Sequence, residues 1–413
     1  MASGEVGGML NFARRVWRYR KRLAPIDGFF FDRPLVLIQS DDWGRVGVRD
    51  REGWQELVAA GVPLGERPSD FYSLETAEDV AAIVEGLTRH RDSTGRAACV
   101  VANFICANVD FRQTEETGFR NLTLRPLGEG LPESWKQPGL VEAYRAAISE
   151  QVMLPALHGM KHFCRPAVER GLGDSGENGD LLRTFFRSGT PYIHWRMPWV
   201  GFEYFDPESE EQFLTSELQS QMVSQAAQAF SNFFGTQALS ACAPGYRHNQ
   251  ETLKAWSACG IKVAQNGPGS LLPPHFEKGM LHLHRNVQFE PALDPSRYSV
   301  EACVKQAARC FERGIPAVVS VHSINFHSSL RNFRDETLLR LDLFLSALER
   351  QSPRLLYVHD HDVLALVNHG CYETGSSRVS VRVKKSMVLP NAAKHQCGEP
   401  EFVGTPARLE RNG

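Results

Sequence analysis

Residues 36–44 read VLIQSDDWG, an apolar run of strand character that drives into Ser40, two adjacent carboxylates, a tryptophan and a glycine. Side chains alternate across a strand, so Asp41 and Asp42 can serve one site only where the strand ends and the backbone turns. In LPALHGMKHF, residues 154–163, His158 and His162 stand at i, i+4, which puts both imidazoles on one face of a helix or of its first turn. Two neutral imidazoles and one carboxylate make a three-ligand metal site with a position open to water, as a hydrolytic zinc requires. Two more polar clusters follow apolar runs, APGYRHN at 243–249 and HSINF at 322–326.

These clusters need elements to hold them. Strand patterns fall at 34–40, 97–106, 152–157, 237–242, 261–265, 281–287, 316–322 and 354–358; helical patterns fall at 75–90, 140–151, 208–234, 249–259, 297–313, 333–350 and 360–369. The alternation is that of a parallel sheet or barrel wrapped by helices, and about seven to eight strand–helix units suit a (β/α) barrel. Function in such a fold sits at the C-terminal ends of the strands, where all four clusters lie. We divide the chain into a basic N-terminal segment at 1–30, a barrel at 31–371 and a tail at 372–413, which loses periodicity and is expected to be peripheral or disordered. Segments 109–138 and 172–206 carry too many chain breakers for ordinary connections and read as insertions. The second holds His194, Trp195, Trp199, Phe202, Tyr204 and Phe205, which either line a carbohydrate-binding wall or form a satellite core.

Composition narrows the function classes. The 413 residues carry a net charge of -2, which gives no general attraction to nucleic acid. Nine cysteines, an odd number with no C-x-x-C pair, fit reduced thiols better than a disulfide framework. We find no secretory signal and no apolar window long enough to span a membrane, so a cytoplasmic location is expected. The N-terminal cations Arg14, Arg15, Arg18, Arg20, Lys21 and Arg22 alternate with apolar residues. That pattern allows an amphipathic helix in peripheral contact with an anionic membrane, or a solvated helix packed on the domain.

Taken in order, SDDWG, HGMKH, APGYRHN and VVSVHSINF resemble the motif series of the polysaccharide deacetylases, carbohydrate esterases on a distorted (β/α)7 barrel. The resemblance implies that Asp41 is the general base, that Asp42, His158 and His162 hold one divalent metal (Zn2+ first, Co2+ or Ni2+ as alternatives), and that His322 is the general acid. The implied reaction hydrolyses an N-acetyl group on a sugar or glycan precursor. Asp41 takes the proton of the attacking water, a backbone N–H at Gly245 or Tyr246 holds the oxyanion, and His322 protonates the departing amine. One position departs from the family. Its arginine partner for the base, two residues before the third motif's proline, is Cys242 here, and Arg247 or Arg285 is the candidate substitute. Asn325 and His327 are placed to orient His322 or to touch substrate.

Other polar clusters have simpler explanations. In YVHDHDVLALV, Asp360 or Asp362 as helix cap and first-turn acid accounts for the acids without a metal. His282 and His284 share a strand face, where packing or a substrate wall is expected rather than ligation. Two alternatives to the deacetylase stand: a metal amidase or esterase for non-sugar substrates, and a glycan-binding protein without catalysis, for which the missing arginine argues. A cytoplasmic enzyme would meet a biosynthetic intermediate, such as a lipid-linked or nucleotide-linked sugar, rather than a finished polymer.

Overall fold

A computed structural model describes residues 25–375 and 377–388. Its central strand shows why the sheet is parallel and covered: Val36 and Ile38 join one apolar cluster while Leu35 and Leu37 join another, so the strand is apolar on both faces. The strands are β1 (Ile26–Phe31), β2 (Leu35–Trp43), β3 (Val100–Phe104), β4 (Ala107–Val109), β5 (Leu124–Pro126), β6 (Met153–Leu157), β7 (Ser240–Cys242), β8 (Val263–Asn266), β9 (His275–Glu277), β10 (Met280–His284), β11 (Val287–Gln288), β12 (Ala317–His322), β13 (Leu356–Tyr357), β14 (Cys371–Thr374), β15 (Ser377–Ser380) and β16 (Val383–Val388). The chain is a mixed α/β fold around one large, mostly parallel sheet.

Parallel neighbours run β11-β12-β2-β3-β6-β7-β8-β10, and β13 also pairs with β2. Antiparallel β9, β1 and β16 extend the far edge. β10 and β11 are separated by only Arg285 and Asn286, yet one pairs with β8 and the other with β12, at opposite ends of the parallel run. Helices Ala77–Thr88, Leu140–Ser149, Ser216–Phe234, Gln250–Ala258, Val300–Glu312, Arg334–Gln351 and Asp360–His369 fall between strands, close to their expected places. The third starts later than its pattern because residues 208–211 turn and Phe213 bridges to Phe205 before the Thr215 cap, whose side chain accepts from Leu218 N–H.

Both expected insertions carry structure. Helix Phe111–Glu116 and the β4–β5 pair occupy the first, and helix Glu177–Arg187 lies in the second, with Leu182, Phe185 and Phe186 buried in the main core. Short elements between clustered breakers leave little periodicity to read. Within the tail, β14 and β15 form a hairpin and β16 takes the sheet edge beside β1, from Ile26↔Val388 to Phe31↔Val383. Residues 1–24, including the basic cluster, and 389–413 lie outside the described residues. Among those described, no helix is long and apolar enough to cross a membrane, and eight cysteines are unpaired.

Candidate active site

The two acids separate because the backbone of β2 breaks its own alternation. Asp42 has φ of 74°, and the register with β3 shifts between Ser40 and Trp43. The strand thus continues to Trp43 through a bulge, where the sequence suggests that it ends. Asp42 occupies the left-handed region that Asp and Asn tolerate better than most residues. Three contacts pin the turn: Tyr72 OH and Ser323 OH donate to the Asp42 carbonyl at 2.9 and 3.3 Å, and Gly44 N–H donates to the buried Glu75 at 2.8 Å.

Asp42 then meets both histidines. Its Oδ1 lies 3.5 Å from His158 Nε2 and 3.2 Å from His162 Nε2, while Oδ2 accepts from Arg45 at 3.2 Å. His158 Nδ1 lies 2.9 Å from the Cys242 carbonyl, which only accepts, so Nδ1 is the protonated nitrogen and Nε2 faces Asp42. Burial and the Arg45 charge hold His162 well below the usual imidazole value. Burial raises the Asp42 carboxyl, but His162, Arg45 and His158 together hold it well below the usual carboxylate range. A buried carboxylate oxygen with no hydrogen-bond partner thus faces two imidazole nitrogens, a donor set that fits a divalent cation. Asp41, His158 and Cys242 also converge, but burial pushes the Cys242 thiol far up and Arg285 occupies Asp41, so that set lacks free ligands.

The two histidines do not share a helix. His158 directly follows β6, and residues 158–164 form a loop in which the rings lie 5.5 Å apart. Buried Glu203 replaces the helical scaffold: it accepts from Met160 N–H at 3.0 Å and from Lys161 Nζ at 3.3 Å. Gly159, at φ of 94°, lies so close that an added Cβ would stand 1.7 Å from Glu203 Oε2. Gly159→Ala is therefore expected to cost about 1–3 kcal/mol from backbone strain, with an overpacking penalty of similar size. Chemical denaturation checks this, and metal affinity should fall in the same variant.

Asp41 is held from the other side. Arg285 donates to both its oxygens at 2.6 Å, Asn103 Nδ2 donates to Oδ1 at 2.7 Å and Tyr246 OH to Oδ2 at 3.1 Å. Burial raises the Asp41 carboxyl, but Arg285, His158 and His322 outweigh it and leave it far below the usual range. Arg285, not Arg247, therefore reaches Asp41, and Arg247 lies over the Phe205 ring, 5.1 Å from its centroid. The pairing of β12 with β2 sets His322 opposite Asp41, with Nε2 3.9 Å from Oδ2. Sequence reasoning missed Glu290, which lies 2.7 Å from His322 Nδ1. Burial lowers the His322 imidazole, but Glu290 above all, then Asp41 and Asp42, raise it to about 9.

The remaining candidates sort by contact. Tyr246 N–H is spent on the Ala243 carbonyl at 2.8 Å, so it is not the free oxyanion donor expected from the sequence; its phenol serves Asp41 instead. Gly245 packs so closely on Phe202 that a Cβ would come within 2.4 Å of the ring. Asn325 is buried in internal bonds: its amide donates to Glu290 and the His322 carbonyl, and its oxygen accepts from Ala292 N–H. His327 stands 3.3 Å from Glu75, away from His322's partner. His359 caps its helix with Asp362, while buried Asp360 accepts from Gln39 and Gln265. His282 and His284 stack on His275 at 5.4 and 5.3 Å. Of the aromatics, His194 and Trp195 line a cavity of about 290 Å3 beside Asp42 and His322, whereas Tyr204 is core.

No protein-family model matches the chain, and no curated protein matches it. Solved structures do, 48 chains in all. Carbohydrate esterases of family CE4 are among these structural neighbours. A family 4 carbohydrate esterase from Streptomyces lividans is 11% identical over 78% of this chain and 90% of its own, with a TM-score of 0.33. A CE4 family pseudoenzyme from Bacillus anthracis is 10% identical over 80% of this chain, with a TM-score of 0.35, and the match spans 66% of its length. A 4-alpha-glucanotransferase from Thermococcus litoralis reaches 0.42 at 9% identity, over 81% of this chain and 40% of its own. Likeness at this level carries no argument about chemistry, which rests on the residues.

Proposed function

We propose that this chain is a metal-dependent hydrolase that removes an N-acetyl group from a sugar or glycan precursor. The observation that carries the reading is the convergence of Asp42 with His158 and His162 beside the facing pair Asp41 and His322. Asp42, His158 and His162 would hold the cation, with zinc the first choice for two imidazoles and one carboxylate. When bound, it supplies Lewis acidity to a carbonyl and acidifies a water. Asp41 takes the proton of the attacking water. His322, protonated at Nε2 and held at Nδ1 by Glu290, gives a proton to the departing amine nitrogen, a poor leaving group without it. Arg285 fills the place that Cys242 leaves vacant in the family pattern. The pairing of Met280–Gln288 with both β8 and β12 supports closure of the sheet as a seven-strand barrel, with these residues at the C-terminal strand ends.

The test is acetate release from N-acetylated sugars by the zinc-loaded protein, scanned across pH. His322 lies above the ordinary imidazole value, so its proton is kept through neutral pH and lost as pH rises through about 9. Activity should therefore decline on the alkaline side near that pH. Glu290→Gln removes the main charge that raises the imidazole, and the alkaline limb should move down. The loss at pH 8 reaches up to about thirtyfold if the imidazole returns to its ordinary value. A limb that stays in place removes His322 as the acid. One observation favours a second reading, a glycan-binding protein without hydrolysis: four donors already crowd Asp41, which weakens it as a base. Sugar binding without acetate release in the loaded protein supports that reading.

A further inference from the structure

The cavity of about 290 Å3 beside Asp42 and His322 has a charge balance that a neutral sugar does not call for. Its walls are mostly apolar or aromatic, with Tyr72, Tyr192, Trp195 and Ile324 among them, and two guanidinium groups stand in this setting. Arg45 lies 4.7 Å from the Tyr72 ring centroid and 5.2 Å from that of Tyr192. It gives Nη1 to Asp42 and keeps a buried Nε–H with no acceptor. Arg67 is exposed at the mouth, 4.4 Å from the Trp195 centroid, with no carboxylate in ion-pair reach among the described residues. The only acid among the cavity's lining residues is Asp42, and Arg45 already answers it. A guanidinium fork matches the oxygens of phosphate and carboxylate.

We propose that the sugar bound here carries an anionic group, a phosphate or a carboxylate, received by Arg67 at the mouth with the Arg45 charge behind it. The inference rests on the hydrolase reading of the adjoining site and specifies the class of sugar that enters it. Stacking on Trp195 holds the Arg67 guanidinium in place, and the aromatic walls accept the sugar's C–H faces.

The test is a titration of the full chain, loaded with zinc, with three probes: N-acetylglucosamine, its 1-phosphate and N-acetylglucosaminuronic acid. At least one anionic sugar should bind about tenfold or more tightly than the neutral one, and which of the two does so separates phosphate from carboxylate recognition. In Arg67→Ala that preference should collapse, and Arg67→Lys should restore part of it. Equal affinities for all three sugars, no binding of any, or a preference unchanged in Arg67→Ala overturns the proposal. Acetate release is scored separately. Tight anionic-sugar binding without release keeps the anion site and removes the hydrolase, whereas release from neutral sugars with no anionic preference does the reverse.

Discussion

Replacing Asp42 by asparagine is expected to abolish metal retention and to lower acetate release at least about a thousandfold. Loss of Lewis-acid stabilisation worth roughly 4 kcal/mol corresponds to that factor. Asparagine is chosen because it tolerates the left-handed backbone at φ of 74° and keeps the shape of the side chain. What disappears is the negative charge that Arg45, His158 and His162 surround. Elemental analysis of the purified variant beside the parent gives the first readout, and acetate release the second. About one divalent ion per chain in the parent and none in the variant is the expected pair. The backbone turn should persist, since the Tyr72 and Ser323 bonds reach the Asp42 carbonyl and not its side chain, at some cost in stability because Arg45 loses its carboxylate partner. A variant that keeps its metal moves the ligand set away from Asp42. A parent that takes up no zinc or cobalt removes the hydrolase altogether.

Much of this site was legible because its parts are local in sequence. The two aspartates, His158 and His322 each sit at the end of an apolar run, with His162 four residues on, and parallel strands buried on both faces advertise themselves as such runs. The structure brings all five together. What escaped reading acts across long separations. Glu290 supports His322 from 32 residues away, and Glu203 holds the histidine loop from 42 and 43 residues away. Neither carboxylate has a local signature, since a Glu inside a loop or after a short strand looks the same whether it is solvated or buried. The i, i+4 spacing of His158 and His162 suggested a helix, but Gly159 at positive φ and the buried Glu203 fix a loop that delivers both rings to one point anyway. Spacing thus picked out the two histidines and misnamed their scaffold. Arg285 was one of two candidates to replace the family's arginine, and only its place between β10, paired with β8, and β11, paired with β12, decides between them.

The second large effect belongs to that arginine. Arg285→Met is expected to destabilise the fold by about 3–5 kcal/mol at pH 7, the usual consequence of removing one partner from a buried ion pair. Arg285 is 0% exposed, and besides both Asp41 oxygens it serves Gln39 and Gln265 through Nε and Nη2 at 3.1 and 3.0 Å. Those two amides in turn donate to the buried Asp360, so one guanidinium orders a network from Asp41 to Asp360. The pH dependence supplies the internal check. In the parent, the Asp41 carboxyl lies below its unfolded value of about 3.9, so its contribution is fully present above that pH and is lost only as pH falls toward the folded value. Without Arg285, Asp41 keeps Asn103, Tyr246 and His322 but loses its main countercharge, and the carboxyl moves up. The penalty then applies above the raised value and disappears as protonation neutralises the group. Urea unfolding of parent and variant should therefore show the widest gap at pH 7 and a narrower one near pH 4. A gap that is small at pH 7, or that widens on acidification, would mean that Arg285 does not carry the charge balance of Asp41.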